Sequence, residues 1–181
     1  VAVSDVSGAV CDDGGLDIAE LRNHVATGAQ LDTAPEVEHI TNEQLLTVEC
    51  DVLAPAALGE VIDASNAGQL RCRAILEAAN YPVTPSGDAI LRDRDITVIP
   101  DILANAGGVT GSYFEWTQNI QQFTWKVDRF NAELVDRMKS AYNAVQSAQT
   151  RYGCTLREAA YSIGLERVAE ATKIRGYLSG A

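Results

Sequence analysis

The sequence predicts an α/β fold in which a doubly wound, mostly parallel sheet is followed by long C-terminal helices. Two observations support this prediction. In the first two thirds of the chain, short apolar runs alternate with patterns of helical period, which is typical of β-α-β units that build a parallel sheet. From Gly108 onward, apolar residues recur at helical spacing only.

Four strands are predicted in the first hundred residues, each an apolar run and several of them rich in β-branched side chains. They cover residues 1–4, 52–54, 74–77 and 96–99. The second strand lies in the segment CDVLAPAA, which is too short for a helix and contains a proline. We therefore interpret it as a buried strand that leaves the sheet at Pro55.

Helices are predicted between and after these strands. The first three are residues 16–26, Asn42–Leu46 behind the N-cap Thr41, and 86–92 behind Pro85. Three longer helices close the chain, at residues 109–123, 129–151 and 156–178. Gly153 is expected to end the second of these, and Thr155 with Glu158 forms a capping box for the third.

Composition and charge exclude several classes of protein. The chain has 181 residues, 46% of them hydrophobic and 22% charged, as in an ordinary globular domain. Its 25 acidic and 14 basic residues give a net charge of −11, which disfavours nucleic-acid partners because phosphates must be neutralised by Lys and Arg. Two interpretations of this acidity remain open, a surface adapted to high salt and a merely acidic cytosolic protein.

Targeting signals and cysteine spacing point to the cytoplasm. No apolar stretch is long enough to cross a bilayer, and the start of the chain lacks the pattern of a signal peptide. The chain begins without methionine, already inside a predicted strand, which suggests a piece of a longer protein. The four cysteines are far apart (Cys11, Cys50, Cys72 and Cys154), so we expect buried free thiols and neither a metal site nor a disulfide framework.

Candidate ligand-binding residues follow the first three predicted strands, because ligands of open α/β sheets bind beyond the carboxyl ends of the strands. Asp5 follows the first strand, where it is either a ribose ligand or a turn-former. Ala56 follows the second, where small residues admit a ligand or simply end a strand. Asn80 follows the third, and its carboxamide offers a donor and an acceptor that match a nicotinamide carboxamide, although an Asn before Pro82 also suits a turn.

The fourth strand end has the longest polar and glycine-containing sequence. Asn105 is expected to leave an extended segment, and Gly107-Gly108 to form a turn that glycine tolerates best. A helix is expected to begin at about Val109, with Ser112 in its first turn. Backbone N–H groups at such a helix start attract anions, so Ser112 is a candidate for a substrate carboxylate, or else a serine that bonds the first turn of its own helix.

Three blocks of the sequence closely resemble the cofactor-binding domain of glutamate dehydrogenases. They are CDVLAPAAL from Cys50, EAAN from Glu77 and PDILANAGGVTGSYFEWTQN from Pro100. The resemblance covers essentially the whole chain. It implies that residues 1–122 form a Rossmann-like dinucleotide-binding domain lacking its first β-α unit, and that residues 123–181 form a helical segment that packs on this domain and links back to an absent substrate domain.

The resemblance also assigns roles to single residues. Asp5 corresponds to the adenosine-ribose position and Ala56 to a cofactor contact. Asn80 corresponds to the asparagine near the nicotinamide end of the cofactor, and Asn105 to the one beside the nicotinamide and the substrate.

Two further residues correspond to substrate ligands of the family. Val109 matches a valine that lines the side-chain pocket, and Ser112 matches a serine that bonds the γ-carboxylate of glutamate. The family's catalytic lysines and aspartate have no counterpart in this sequence, nor does the Gly-rich phosphate loop expected just upstream of Val1. The chain alone is therefore expected to be inactive.

The activity implied for the intact enzyme is the reversible oxidative deamination of L-glutamate to 2-oxoglutarate and ammonia, with hydride transfer to NAD or NADP. Asp5 favours NAD, because a carboxylate accepts bonds from ribose hydroxyls and repels a 2′-phosphate, while NADP stays open. The family also implies a homo-hexamer. The alternatives are a dehydrogenase of branched-chain or aromatic amino acids, whose pocket would be apolar where Ser112 stands, and a non-catalytic nucleotide-binding module.

Overall fold

The computed structural model describes residues 1–176, and the chain divides into two compact units. Unit 1 contains Val1–Ile75 and Val83–Thr97, and unit 2 contains Leu76–Pro82 and the chain from Val98 onward. The elements in chain order are β1 (Ala2–Ser4), β2 (Ala9–Cys11), α1 (Ile18–Ala26), β3 (Glu38–Ile40), α2 (Asn42–Leu46), β4 (Cys50–Leu53), β5 (Cys72–Leu76), α3 (Pro85–Asp93), β6 (Thr97–Ile99), α4 (Asp101–Ala104), α5 (Ala106–Gln121), α6 (Val127–Tyr152) and α7 (Leu156–Ile174).

The N-terminal part of unit 1 is a small antiparallel sheet of order β1-β2-β3. It packs on α1 through the buried side chains of Val10, Leu21, Leu31 and Ala34. The sequence analysis did not predict β2 or β3, and it placed the first strand among the parallel strands. That placement was wrong, because only four residues separate β1 from β2, and so short a connection permits antiparallel pairing alone.

The second sheet has the order β4-β5-β6, with β4 and β5 parallel and the crossover helix α3 between β5 and β6. Thr84 caps α3 and Pro85 occupies its first turn. Gly87 is required there, because a Cβ atom would lie 2.8 Å from the backbone oxygen of Ile62. The α/β class is thereby confirmed. The last residues of β5 and β6 belong to unit 2, so both strands deliver their carboxyl ends to that unit.

Unit 2 is built from α4 to α7 around the buried residues Leu103, Val145, Leu156, Ala159 and Ala160. The predicted helix ends are largely confirmed: Gly153 ends α6 with φ +61°, and the Thr155–Glu158 capping box opens α7. The predicted end of α7, residue 178, lies outside the described residues. Within residues 1–176 no helix is both long and apolar enough to span a membrane.

Candidate functional site

The strongest candidate site is a pair of carboxamides at the carboxyl ends of β5 and β6. The Nδ2 group of Asn105 donates a hydrogen bond to Oδ1 of Asn80 at 2.7 Å and lies 3.4 Å from the carbonyl oxygen of Ala78. Asn80 is exposed and Asn105 half-buried. Nδ2 of Asn80 and Oδ1 of Asn105 have no hydrogen-bond partner among the described residues, so the pair presents one donor and one acceptor to a ligand.

The loop that carries Asn80 has an unusual backbone conformation. Tyr81 has φ +50°, in the left-handed region, which costs a bulky L-residue about 1–2 kcal/mol. The carboxylate of Asp101 stabilises this conformation, because its Oδ2 atom accepts the backbone N–H of Tyr81 at 2.7 Å. The position of Asn80 is thus defined by a side chain from the next strand end.

A buried ion pair includes Glu77, which precedes Asn80 by three residues. Glu77, which is 0% exposed, accepts two hydrogen bonds from Arg157, at 2.7 Å to Oε1 and 2.9 Å to Oε2. Its Oε2 atom also accepts the backbone N–H of Asp101 at 2.8 Å. The Asp101 carboxylate lies 4.0 Å from the same guanidinium. Both carboxylate oxygens of Glu77 are thus bonded to the guanidinium, and Oε2 is bonded to a backbone N–H as well.

The sequence analysis missed Glu77, Asp101 and Arg157. A signal for the first was present, since Ile75, Glu77 and Ala79 alternate along the strand and its extension and are all buried. A charged residue at an inward position requires a partner of opposite charge. The identity of that partner could not be read from the sequence, because Arg157 lies 80 residues further along the chain.

The segment after Asn105 differs from the prediction. The prediction of a turn at Gly107-Gly108 was wrong. Neither glycine has a positive φ, and both lie inside α5, which begins at Ala106. The extended segment expected before Asn105 is instead the helical turn α4. Ser112 is consequently the seventh residue of α5. The prediction that it lies in the first turn, near the N–H groups at the helix start, was therefore wrong.

Val109 and Ser112 lie on one side of α5, because residues three apart in a helix are neighbours. The hydroxyl of Ser112 donates to the carbonyl oxygen of Gly108 at 3.3 Å, which is a long and weak bond that a ligand oxygen could replace. Both residues are exposed, Val109 to 71%. Ser112 follows Asn105 by seven residues, two turns or about 10 Å along the same side of the helix.

Asp5 and Ala56 belong to unit 1 and are both exposed. Oδ1 of Asp5 accepts hydrogen bonds from the hydroxyl and the backbone N–H of Ser7, at 2.6 and 2.7 Å. These bonds, the hydroxyl first, lower the pKa of Asp5 and keep it ionised. Asp5 therefore forms a turn, as one of the two interpretations held, and its Oδ2 atom has no hydrogen-bond partner in the part of the chain that the structure describes.

The four cysteines are free thiols, and only Cys72 is buried. The expectation of buried thiols was wrong for Cys11, Cys50 and Cys154, which are half-buried. Desolvation raises the pKa of Cys50 and of Cys72, which face each other across β4 and β5, so both are protonated at neutral pH. Within residues 1–176, no group of three or more His, Cys, Asp or Glu side chains is arranged to hold a metal ion.

Comparison with known proteins gives consistent matches over the described chain. The family model for glutamate/leucine/phenylalanine/valine dehydrogenases matches residues 1–176. The chain is 47% identical over 176 residues to a glutamate dehydrogenase of Thermotoga maritima, covering 97% of this chain and 42% of that protein. It is also 47% identical to an NAD-specific glutamate dehydrogenase A of Halobacterium salinarum, covering 97% of this chain and 40% of that protein.

Solved structures agree with these relatives. The crystal structure of the hetero-hexameric glutamate dehydrogenase of Thermus thermophilus, in a leucine-bound form, superposes with a TM-score of 0.88 at 32% identity. The match covers 97% of this chain and 41% of that one. The chain thus spans about two fifths of the length of the relatives it matches.

Proposed function

The chain belongs to the glutamate/leucine/phenylalanine/valine dehydrogenase family, and on this premise we propose that it is the cofactor-binding part of a glutamate dehydrogenase. The observation that carries the proposal is the hydrogen-bonded pair of Asn80 and Asn105. The intact enzyme would interconvert L-glutamate with 2-oxoglutarate and ammonia. The chemistry supplied by the bound nicotinamide is the acceptance of a hydride from the substrate.

The carboxamide pair fits the nicotinamide end of a dinucleotide. A nicotinamide carboxamide has one donor group and one acceptor oxygen, and the pair presents the complementary Nδ2 of Asn80 and Oδ1 of Asn105. Because Asn105 already uses its own Nδ2 group to fix Asn80, the two side chains are ordered relative to each other before a ligand arrives. Preorganisation of this kind reduces the entropy that binding must overcome.

Asp5 supports a preference for NAD. Its carboxylate is exposed and ionised, and its Oδ2 atom is available to ribose hydroxyls while its charge repels a 2′-phosphate. Ala56, exposed after β4, would allow close approach of the dinucleotide. The relative from Halobacterium salinarum carries the name NAD-specific, in line with this preference, and NADP is the competing cofactor.

Ser112 and Val109 support glutamate as the substrate. In the proposal, the Ser112 hydroxyl exchanges its weak bond to Gly108 for a bond to the γ-carboxylate, and Val109 lines the aliphatic part of the side chain. A bond from a hydroxyl to a charged oxygen is stronger than one to a carbonyl. A branched-chain or aromatic substrate would leave this hydroxyl without a partner, which disfavours it.

The exposed face of α5 supports docking of the substrate-binding part of the polypeptide. Four apolar side chains at spacings of four, three and four residues are each more than half exposed: Val109, Tyr113, Trp116 and Ile120. This stripe continues from the proposed substrate residues along the same helix, and the relatives contain more than twice the length of this chain. The catalytic groups would come from that part, and the complete enzyme would form a homo-hexamer.

The proposal is tested by removing the carboxamide pair from the complete polypeptide. Asn105→Ala removes the bond to Asn80 and one ligand acceptor, and we expect the KM for NAD to rise about tenfold, the loss of one to two hydrogen bonds. Asn131→Ala is the control, since it deletes an exposed carboxamide of unit 2 on α6. Equal kinetics in the two variants would contradict a cofactor role for the pair.

A further inference from the structure

The ion pair between Glu77 and Arg157 has no part in the binding roles proposed above. It is the contact by which the first turn of α7 reaches the end of β5. Removing a carboxylate and a guanidinium from water is costly, and apolar side chains of the same size often stabilise a core as well or better. Its geometry, with both carboxylate oxygens bonded to one guanidinium, fixes orientation as well as distance.

The pair is connected to both carboxamide loops through one residue. Asp101 donates its backbone N–H to Glu77, accepts the N–H of Tyr81 on its carboxylate, and accepts the N–H of Asn105 on its carbonyl oxygen at 3.1 Å. Tyr81 is the residue next to Asn80. Asp101 thus bonds the backbone of Tyr81, beside Asn80, and the backbone of Asn105. Asp101 is itself held by its bond to Glu77, which pairs with Arg157.

This arrangement has two carboxylates and one guanidinium. Arg157 bonds Glu77 at 2.7 and 2.9 Å and has its Nη1 atom 4.0 Å from Asp101, so one planar group defines the positions of both acids. A lysine at this position would keep the charge but could not present two donors in a fixed plane. Orientation, rather than charge alone, is what the arginine provides.

We propose that Arg157 is a positioning residue, which acts through Glu77 and Asp101 to hold Asn80 and Asn105 in their paired geometry. The inference rests on the proposed function only for its consequence, cofactor affinity. The positioning itself is a property of this chain and can be measured on it without a ligand.

The first experiment measures the carboxamides directly. In ¹H–¹⁵N spectra of the chain, Arg157→Lys is expected to shift the side-chain NH₂ resonances of Asn80 and Asn105 while circular dichroism stays that of a folded protein. Arg94→Lys is the matched control, because the Arg94 guanidinium also makes two bonds, to the carbonyl oxygens of Ala67 and Leu70, but within unit 1. Unchanged Asn80 and Asn105 resonances in folded Arg157→Lys would overturn the proposal.

The second experiment is a double-mutant cycle in the complete polypeptide. Arg157→Lys is expected to weaken NADH binding about tenfold in the native background and to have no further effect when Asn80 and Asn105 are both alanine. An equal loss in both backgrounds would show a merely structural role and overturn the proposal. If Arg157→Lys does not fold, Asp101→Asn, which keeps its size and one carbonyl acceptor, is measured in its place.

The two experiments separate this inference from the proposed function. Shifted carboxamide resonances in Arg157→Lys, combined with unchanged NADH affinity in the alanine variants, would leave the positioning intact and remove the cofactor role. Native carboxamide resonances in Arg157→Lys, combined with weakened NADH binding in the alanine variants, would remove the positioning role of Arg157 and leave the cofactor role of the carboxamides intact.

Discussion

An acidic residue follows each of the strands β1 and β5, and the two carboxylates differ in where their hydrogen-bond donors come from. Asp5 is exposed, and its Oδ1 atom accepts two hydrogen bonds from Ser7, two residues away. Glu77 is fully buried and bonds Arg157, which lies 80 residues away. One carboxylate is held by its own turn and the other by tertiary structure.

This difference distinguishes residues that can bind a ligand from residues that position other side chains. An exposed side chain with local bonds can bind a ligand at little cost to the fold, as proposed for the Oδ2 atom of Asp5. A fully buried carboxylate such as Glu77 is not accessible to a ligand, and its removal takes a buried bonding partner from Arg157. We infer that residues of the first kind bind and that residues of the second kind position them.

The largest expected effect is the loss of stability of unit 2 when Glu77 is replaced. Glu77→Met leaves the Arg157 charge without its buried partner and should lower the free energy of unfolding by about 3–5 kcal/mol. Urea unfolding followed by tryptophan fluorescence measures this unit specifically, because Trp116 and Trp125 both belong to unit 2.

The double variant Glu77→Met/Arg157→Met distinguishes the loss of a buried charge partner from the loss of packing. We expect it to recover most of the stability, since replacing both partners by apolar groups is often neutral. It should still have displaced carboxamides, because the bonds from Glu77 to Arg157 and Asp101 are gone. A double variant as unstable as the single one would contradict the assignment of the loss to the missing charge partner of Arg157.

An intermediate effect is expected at Ser112 in unit 2. Within residues 1–176 its hydroxyl has one hydrogen bond, which is local, to Gly108. In the complete polypeptide, Ser112→Ala should lower kcat/KM for glutamate by about 10- to 100-fold, the loss of a hydrogen bond to a charged group. Turnover of norvaline, which lacks the γ-carboxylate, should change far less. Stability should change little, because the bond lost within the fold is weak.

Thr117→Ala is the matched control for Ser112. Thr117 lies on the same helix and its hydroxyl also bonds the carbonyl oxygen four residues earlier, that of Tyr113. This variant should leave the ratio of glutamate to norvaline turnover unchanged. Equal losses on both substrates in Ser112→Ala would remove the proposed substrate role of Ser112.

The same contrast explains which features could be predicted from sequence. The helix caps at Thr41, Thr155 and Gly153 are local chemistry, and the structure confirms them. The strands β2 and β3 were missed, since β2 ends one residue before the acidic pair Asp12-Asp13 and β3 (Glu38–Ile40) begins with two polar residues. The helical state of Gly107-Gly108 was missed because glycine has a low helix propensity, which the remaining residues of the 16-residue helix α5 outweigh.

The candidate site shows the same limit. Asn80 and Asn105 could be named from their places after predicted strands, because parallel strands deliver their ends to one edge of a sheet. Their mutual bond could not, nor could Glu77, Asp101 and Arg157, since those contacts join residues that are 20 to 80 positions apart. Only the assembled fold determines which distant charges meet.

The smallest expected effect is at Asp5, and it tests the local half of the comparison. The Ser7 hydroxyl and then its N–H lower the pKa of Asp5 below its ordinary value of 3.8. A carboxylate with a lowered pKa stabilises the fold above its unfolded pKa, and this contribution is lost as the pH falls through the lower folded pKa, which is below 3.8. Ser7→Ala should raise the pKa of Asp5 towards 3.8. Because it also removes the long bond from the Asp32 N–H to the Ser7 hydroxyl, it should change stability at neutral pH by no more than about 1 kcal/mol.

A second turn in unit 1 provides the control, because Asp63 accepts the same two bonds from Ser65 and has its pKa lowered by the same causes. In a ¹³C carboxyl titration both residues should respond alike to loss of their serine. Only Asp5 should respond to NAD, with a further fall in its pKa, because ribose hydroxyls donate to the charged carboxylate and stabilise it. An identical response of Asp5 and Asp63 to NAD would mean that Asp5 forms a turn and nothing more.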